Sequence, residues 1–160
     1  MLAPNEILKR LLQNDVECVL VGGLAAIAYG VSTITQDVDI CFSFHESNIQ
    51  KLIISLEDIS PRIRAGGGFE SLNQYDTARL SRLDHLYLRT DLGELDILGR
   101  ITGIGEFKEV KSHSMEIELF GYPCHILDID HLIQAKEALG RPKDLQVVLE
   151  LKAIRKKLRT

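Results

Sequence analysis

The sequence predicts an α/β domain of the mixed type: a mixed β-sheet flanked by helices, ending in a helical C-terminus. Three observations predict it. Short apolar runs alternate with helix-period segments along the N-terminal half, two hairpin-like strand pairs follow, and two helical patterns divided by Gly140 close the chain. The length of 160 residues fits one domain covering 1–160, long enough to bury a core without staples.

Ile7, Leu8, Leu11 and Leu12 follow helical spacing and predict a first helix over roughly 4–14. "ECVLVGG" reads as a short buried strand ending in glycines. "LAAIAY" is rich in helix formers, and Gly30 suits the position just past a helix end. "DVDICFSF" returns to strand chemistry, and Ile49, Leu52, Ile53 and Leu56 mark a third helix. Residues 58–82 carry three adjacent glycines and no clean period. They predict a flexible loop with a short helix near Tyr75–Leu80. "HLYLRT" and "GELDILG" are strand-like with "DLG" between them as a hairpin turn, and "EIELFG" with "YPCHILD" predicts a second hairpin. "DHLIQAKEALG" and "PKDLQVVLELKAIRKKL" predict the last two helices, with Pro142 in the first turn of the second.

Composition narrows the class. At 45% hydrophobic and 26% charged the chain reads as an ordinary soluble globular protein. A net charge of −4 gives no general case for nucleic acid, although "KAIRKKLRT" at the end is locally basic. That tail reads either as a solvated helix end, where cations suit the macrodipole, or as a contact for a polyanion. Cys18, Cys41 and Cys124 are scattered, odd in number and without CxxC spacing. They predict buried reduced thiols and a cytoplasmic setting. No run approaches the ~20 apolar residues of a membrane span, and the N-terminus lacks a continuous signal-peptide core.

Asp37 and Asp39 stand inside a strand that otherwise has the means to bury itself. Side chains at i and i+2 of a strand share a face, about 6.6 Å apart at Cα, so the two carboxylates project together and repel. A hard divalent cation between them reverses the sign of that interaction, and Mg²⁺ is commonly held by one or two carboxylates plus substrate phosphates. Asp96 alternates with Leu95 and Ile97 in "GELDILG". If its strand lies beside that of Asp37 and Asp39, three carboxylates converge as a two-metal phosphoryl or nucleotidyl transfer site requires. Gly22 and Gly23 sit at the preceding strand-to-helix turn, where missing side chains let a phosphate approach the backbone and free N–H groups.

This pattern resembles the nucleotidyltransferase superfamily that includes DNA polymerase beta and the aminoglycoside nucleotidyltransferases. The wider chain resembles a bacterial subgroup of small proteins related to abortive-infection and toxin–antitoxin transferases. That likeness rests on "GLAAIAYG", "GELDILGRITGIGEF", "ELFG" and "LIQAKEALGRPKDL" and covers most of residues 17–150. The resemblance implies that Asp37, Asp39 and Asp96 bind Mg²⁺ (or Mn²⁺) and that Gly22 and Gly23 hold a nucleoside triphosphate. It also implies a departure. Relatives often carry an arginine before the Asp-x-Asp, and here Ser32 or Thr33 stands in its place, with hydroxyls able to donate to phosphate but no positive charge.

Lys136 falls on the buried stripe of Ile129, Leu132 and Ile133. Either its stem snorkels or its ammonium pairs structurally, or the ammonium makes a phosphate or carboxylate contact at a site. By resemblance to toxin-type relatives, Lys136, Arg141, Lys143 and Asp144 are candidates for the rim of the nucleotide site; Asp144 reads equally as a first-turn acid favouring its helix N-terminus. The five histidines show no metal spacing. "GIGEF" lacks the context of a phosphate loop and reads as a turn after the Asp96 strand.

The expected activity is transfer of a nucleoside monophosphate to a hydroxyl or phosphate acceptor with release of pyrophosphate. Asp96 acts there as ligand or general base. The acceptor class stays open among tRNA, protein and small molecule. The alternative is a catalytically weak or inactive partner protein, an antitoxin or regulator acting by binding, with a toxin–antitoxin partner. An adjacent gene for a small helical toxin favours that reading.

Overall fold

The computed structural model describes residues 1–160. In chain order the elements are α1 (Pro4–Gln13), β1 (Cys18–Val21), α2 (Gly22–Tyr29), β2 (Asp37–Phe42), α3 (Glu46–Leu56), β3 (Arg62–Ala65), β4 (Gly68–Ser71), α4 (Thr77–Ser81), β5 (His85–Thr90), β6 (Gly93–Leu98), β7 (Arg100–Ile101), β8 (Gly105–Glu106), α5 (Phe107–Ser112), β9 (Ser114–Leu119), β10 (Tyr122–Leu127), α6 (Ile129–Leu139) and α7 (Pro142–Leu158). A 3₁₀ turn at Leu72–Gln74 links β4 to α4.

Eight strands form one sheet in the order β4-β3-β5-β6-β2-β1-β10-β9, and β7 pairs with β8 as a separate small ribbon. The pairs β2/β6 and β1/β10 are parallel and the others antiparallel, so the sheet is mixed as predicted. Alternation along the central strands sends Val38, Ile40, Leu95 and Ile97 to one face, where all four are fully buried. α1 packs beside β2, β6 and β10, and its stripe of Ile7, Leu8, Leu11 and Leu12 supplies the other half of that core. α5 lies against β1, β2 and β10, and α2 against β1 and β2. Cys18, Cys41 and Cys124 are buried free thiols, as predicted, and burial pushes the first two up to about 12.

The helix ends follow the sequence signals. Gly30 (φ 109°) and Gly140 (φ 66°) close α2 and α6 in the left-handed region, and Pro142 opens α7. The "DLG" turn and the β9/β10 hairpin form where expected, and "GIGEF" falls in the β7/β8 ribbon and the start of α5.

The structure corrects the loop predicted over 58–82. Most of it is ordered: β3 and β4 pair as a hairpin at the sheet edge, closed by Gly66 and Gly67, before α4. Only Ile63 of β3 is buried and β4 buries none, so neither strand carries the alternation that identifies a strand in sequence. α5 is a second departure, a helix of one and a half turns that buries only Val110. No helix is long and apolar enough to cross a membrane.

Candidate active site

The register of β2 against β6 brings the acidic residues together. Asp39 stands directly opposite Asp96, and Asp37 opposite Glu94. Paired residues of neighbouring strands point to the same face, so the three predicted carboxylates share one side of the sheet with a fourth, Glu94. Antiparallel pairing with β5 adds Tyr87 opposite Asp96 and Arg89 opposite Glu94, with Arg89 Nη2 3.0 Å from Glu94 Oε1. The exposed face of β5, carrying His85, Tyr87 and Arg89, alternates with the buried Leu86, Leu88 and Thr90. That period-2 pattern in "HLYLRT" was the signal that could have singled out Tyr87.

A cleft of about 480 Å³ opens over this face. Among the residues lining it are Gly22, Asp39, Asp96, Tyr87, Lys136 and Arg141. Asp37, on the same face as Asp39, is half-buried beside this lining. The two carboxyl groups at its floor are held against each other. Burial raises the Asp39 carboxyl above its usual range, against the lowering effect of its hydrogen bond with Asp96 and of the nearby Lys136. Burial also pushes Asp96 up to about 7, and the Asp39 charge, their shared hydrogen bond and Asp37 add to the rise.

Gly22 explains how Asp39 sits so close to the start of α2. A Cβ on Gly22 would lie 2.3 Å from Asp39 Oδ2 and 2.8 Å from its Cβ, and the residue has φ +69°. Gly22 and Gly23 form the first turn of α2 rather than a turn ahead of it. A Cβ on Gly23 would stand 3.0 Å from Thr35 Cβ, and the Thr35 hydroxyl bridges to the Asp37 backbone at 3.3 Å. Thr35 is therefore the hydroxyl packed at the glycine pair. Ser32 instead donates to Glu150 of α7 at 2.7 Å and neither it nor Thr33 lines the cleft.

Opposite the carboxylates, α6 and the start of α7 supply cations. Asp144 is 1% exposed and pins both of them: Lys136 Nζ lies 3.5 Å from its Oδ1, and Arg141 Nε 2.5 Å from its Oδ2. Burial works to raise the Asp144 carboxyl, but the Arg141 hydrogen bond and the Lys136 charge outweigh it and hold the group below its usual range. Lys136 thus has a structural partner in Asp144 while still lining the cleft, and Asp144 reaches the cleft only through the cations it orients. Lys143 is exposed, outside the lining and without an ion pair.

The raised Asp39 and Asp96 carboxyls have a sign in the metal-free protein. The native state keeps protons that the unfolded chain releases near pH 4, so native stability falls as pH rises from about 4 to about 7 and then levels. Thermal melts in chelator are expected to show this decline, and Asp96→Asn to flatten it. A divalent cation should restore stability most strongly above pH 7.

The donor set fits a hard cation. Three oxygen-only side chains share one face, two of them short of the charge compensation their burial demands, and Gly22 leaves the space Asp39 needs.

No protein-family model matches the chain, and no curated protein matches it in sequence. Solved structures do match. A candidate nucleotidyltransferase from Thermotoga maritima superposes with TM-score 0.55 at 19% identity, over 99% of this chain and 96% of its own. The lincosamide antibiotic adenylyltransferase LnuA, solved with lincomycin, gives 0.64 at 20% identity over 96% of this chain and 98% of its own. ANT(2″)-Ia, solved with adenylyl-2″-tobramycin, gives 0.56 at 15% identity over 96% and 93%. Likeness over nearly the whole of each chain, at such low identity, is a likeness of architecture: the protein has the nucleotidyltransferase fold.

Proposed function

We propose that the protein is a nucleotidyltransferase that moves a nucleoside monophosphate from a nucleoside triphosphate to a hydroxyl or phosphate acceptor. The observation that carries this reading is the cleft itself, with Asp39 and Asp96 in register on its floor and Lys136 and Arg141, pinned by Asp144, on its wall. The similar structures include one adenylyltransferase by name and one solved with adenylyl-2″-tobramycin, which makes ATP the first donor to test.

Asp37, Asp39 and Asp96 would hold Mg²⁺ or Mn²⁺, which when bound supplies Lewis-acid polarisation of the phosphate. Lys136 and Arg141 face the negative charge of the triphosphate, and the α2 N-terminus at Gly22 and Gly23 offers backbone N–H groups to it. The acceptor approaches across β5, where Tyr87 faces Asp96. Its oxygen attacks the α-phosphorus, the bond to the β-phosphate oxygen breaks, and pyrophosphate leaves. Asp96, beside the acceptor, takes the proton from an acceptor hydroxyl.

The rival reading, a catalytically weak or inactive partner such as an antitoxin, rests in part on the missing arginine before Asp37. Lys136 and Arg141 supply positive charge to the cleft from another direction, and this favours the catalytic reading. Three buried reduced thiols fit a cytoplasmic setting. Incubation with α-³²P-labelled triphosphates and separate pools of tRNA, protein and small molecules tests the proposal. The expected result is metal-dependent label transfer into one pool by wild type and none by Asp39→Asn. Equal labelling by both proteins would refute the assignment.

A further inference from the structure

Away from the cleft, the fold assembles a second group of metal-binding side chains. His113 ends α5, Asp128 caps α6, and His131 lies one turn into α6. Each offers a ligand atom, and the three atoms lie within 4.8 Å of one another. The two imidazoles stack with centroids 3.7 Å apart. None of the three residues lines the cleft.

The backbone holds this cluster in place. Asp128 N–H donates to the His113 carbonyl at 2.9 Å, tying the end of α5 to the start of α6. Asp128 Oδ1 accepts from the His131 backbone at 2.9 Å and lies 2.8 Å from His131 Nδ1. His131 Nδ1 and Asp128 Oδ1 thus already face one another, and a cation that binds both takes the place of the proton they share. No lysine or arginine pairs with Asp128, and His131 Nδ1 lies 2.8 Å from it. The carboxylate also acts outward, adding to the effect of burial that lifts the Tyr29 hydroxyl up to about 12.

We propose that His113, Asp128 and His131 form a site for a borderline divalent transition metal of the Zn²⁺ class, distinct from the oxygen-only carboxylate site. Two imidazoles and a carboxylate are a donor set for Zn²⁺ and a poor one for Mg²⁺. The near-parallel rings direct their lone pairs side by side, so binding requires one ring to turn. His113 is exposed, so its ring is the one with room to turn. An ion here joins α5 to the N-terminal turn of α6, the helix that carries Lys136 into the cleft.

Calorimetric titration with ZnCl₂, and visible spectroscopy with Co²⁺, test this at pH 7.5 in excess Mg²⁺. Wild type is expected to bind one equivalent, with the Co²⁺ complex showing nitrogen-ligand d–d bands. His113→Ala and His131→Ala should each weaken binding by about tenfold or more, while Asp37→Ala/Asp39→Ala binds as wild type does. Circular dichroism establishes that each variant is folded, and the exposed His113 gives the variant least able to disturb the core. No binding by wild type, unchanged binding in both histidine variants, or loss in the double aspartate variant would each overturn the proposal.

Discussion

Asp39→Asn is expected to cut nucleotidyl transfer by about a thousandfold or more while leaving the protein folded. The size follows from the several kcal/mol that a metal site contributes to charge stabilisation in the transition state. The specificity follows from geometry. Asparagine keeps the shape of aspartate, so the close approach to Gly22 survives. It removes one of two charges that burial sets against each other, so the metal-free variant should melt no lower than wild type above pH 7. Steady-state rates and chelator melts on the same preparation separate the two effects. A variant that loses activity and also unfolds would show Asp39 acting as part of the structure, contrary to this account.

Gly22→Ala carries the second large effect. The residue sits at φ +69°, where a side chain costs about 1–2 kcal/mol. The added Cβ would also lie 2.3 Å from Asp39 Oδ2, well inside any tolerable contact. Either the first turn of α2 moves or Asp39 does. The expected loss of stability is about 2–4 kcal/mol, with activity lost in the fraction that remains folded. Gly67→Ala is the control: nothing lies within 4 Å of its Cβ position and its φ is not positive. Denaturant melts of the two variants should differ by most of the Gly22 effect. Equal stability would mean that Asp39 is not held against the helix start.

The legible parts of the protein were those written in local periodicity. The Asp-x-Asp strand, the lone Asp96 between Leu95 and Ile97, and the glycine-bounded helices each state their geometry within a few residues. What the sequence left open was pairing. Nothing local says that β6 joins β2 in the register that sets Asp39 against Asp96, or that Glu94 comes with it. Asp144 read equally well as a helix-start acid, because its partner Lys136 sits on the preceding helix and meets it only across the α6/α7 packing. Ser32 and Thr33 stand before the aspartates in sequence, but the chain turns Ser32 toward Glu150 and brings Thr35 to Gly23 instead. His113 and His131 are eighteen residues apart in sequence on different helices, a spacing with no local signature. The β3/β4 hairpin escaped because an edge hairpin with one buried side chain has no alternation to read.

The central claim is that the carboxylates on β2 and β6 form a working metal–nucleotide site. Calorimetric titration of wild type and of Asp37→Ala/Asp39→Ala with ATP, in Mg²⁺ and in chelator, tests it most directly. The account predicts saturable ATP binding by wild type that requires the metal and disappears in the double variant. ATP binding of equal strength in both proteins, or none by folded wild type in Mg²⁺, would contradict it.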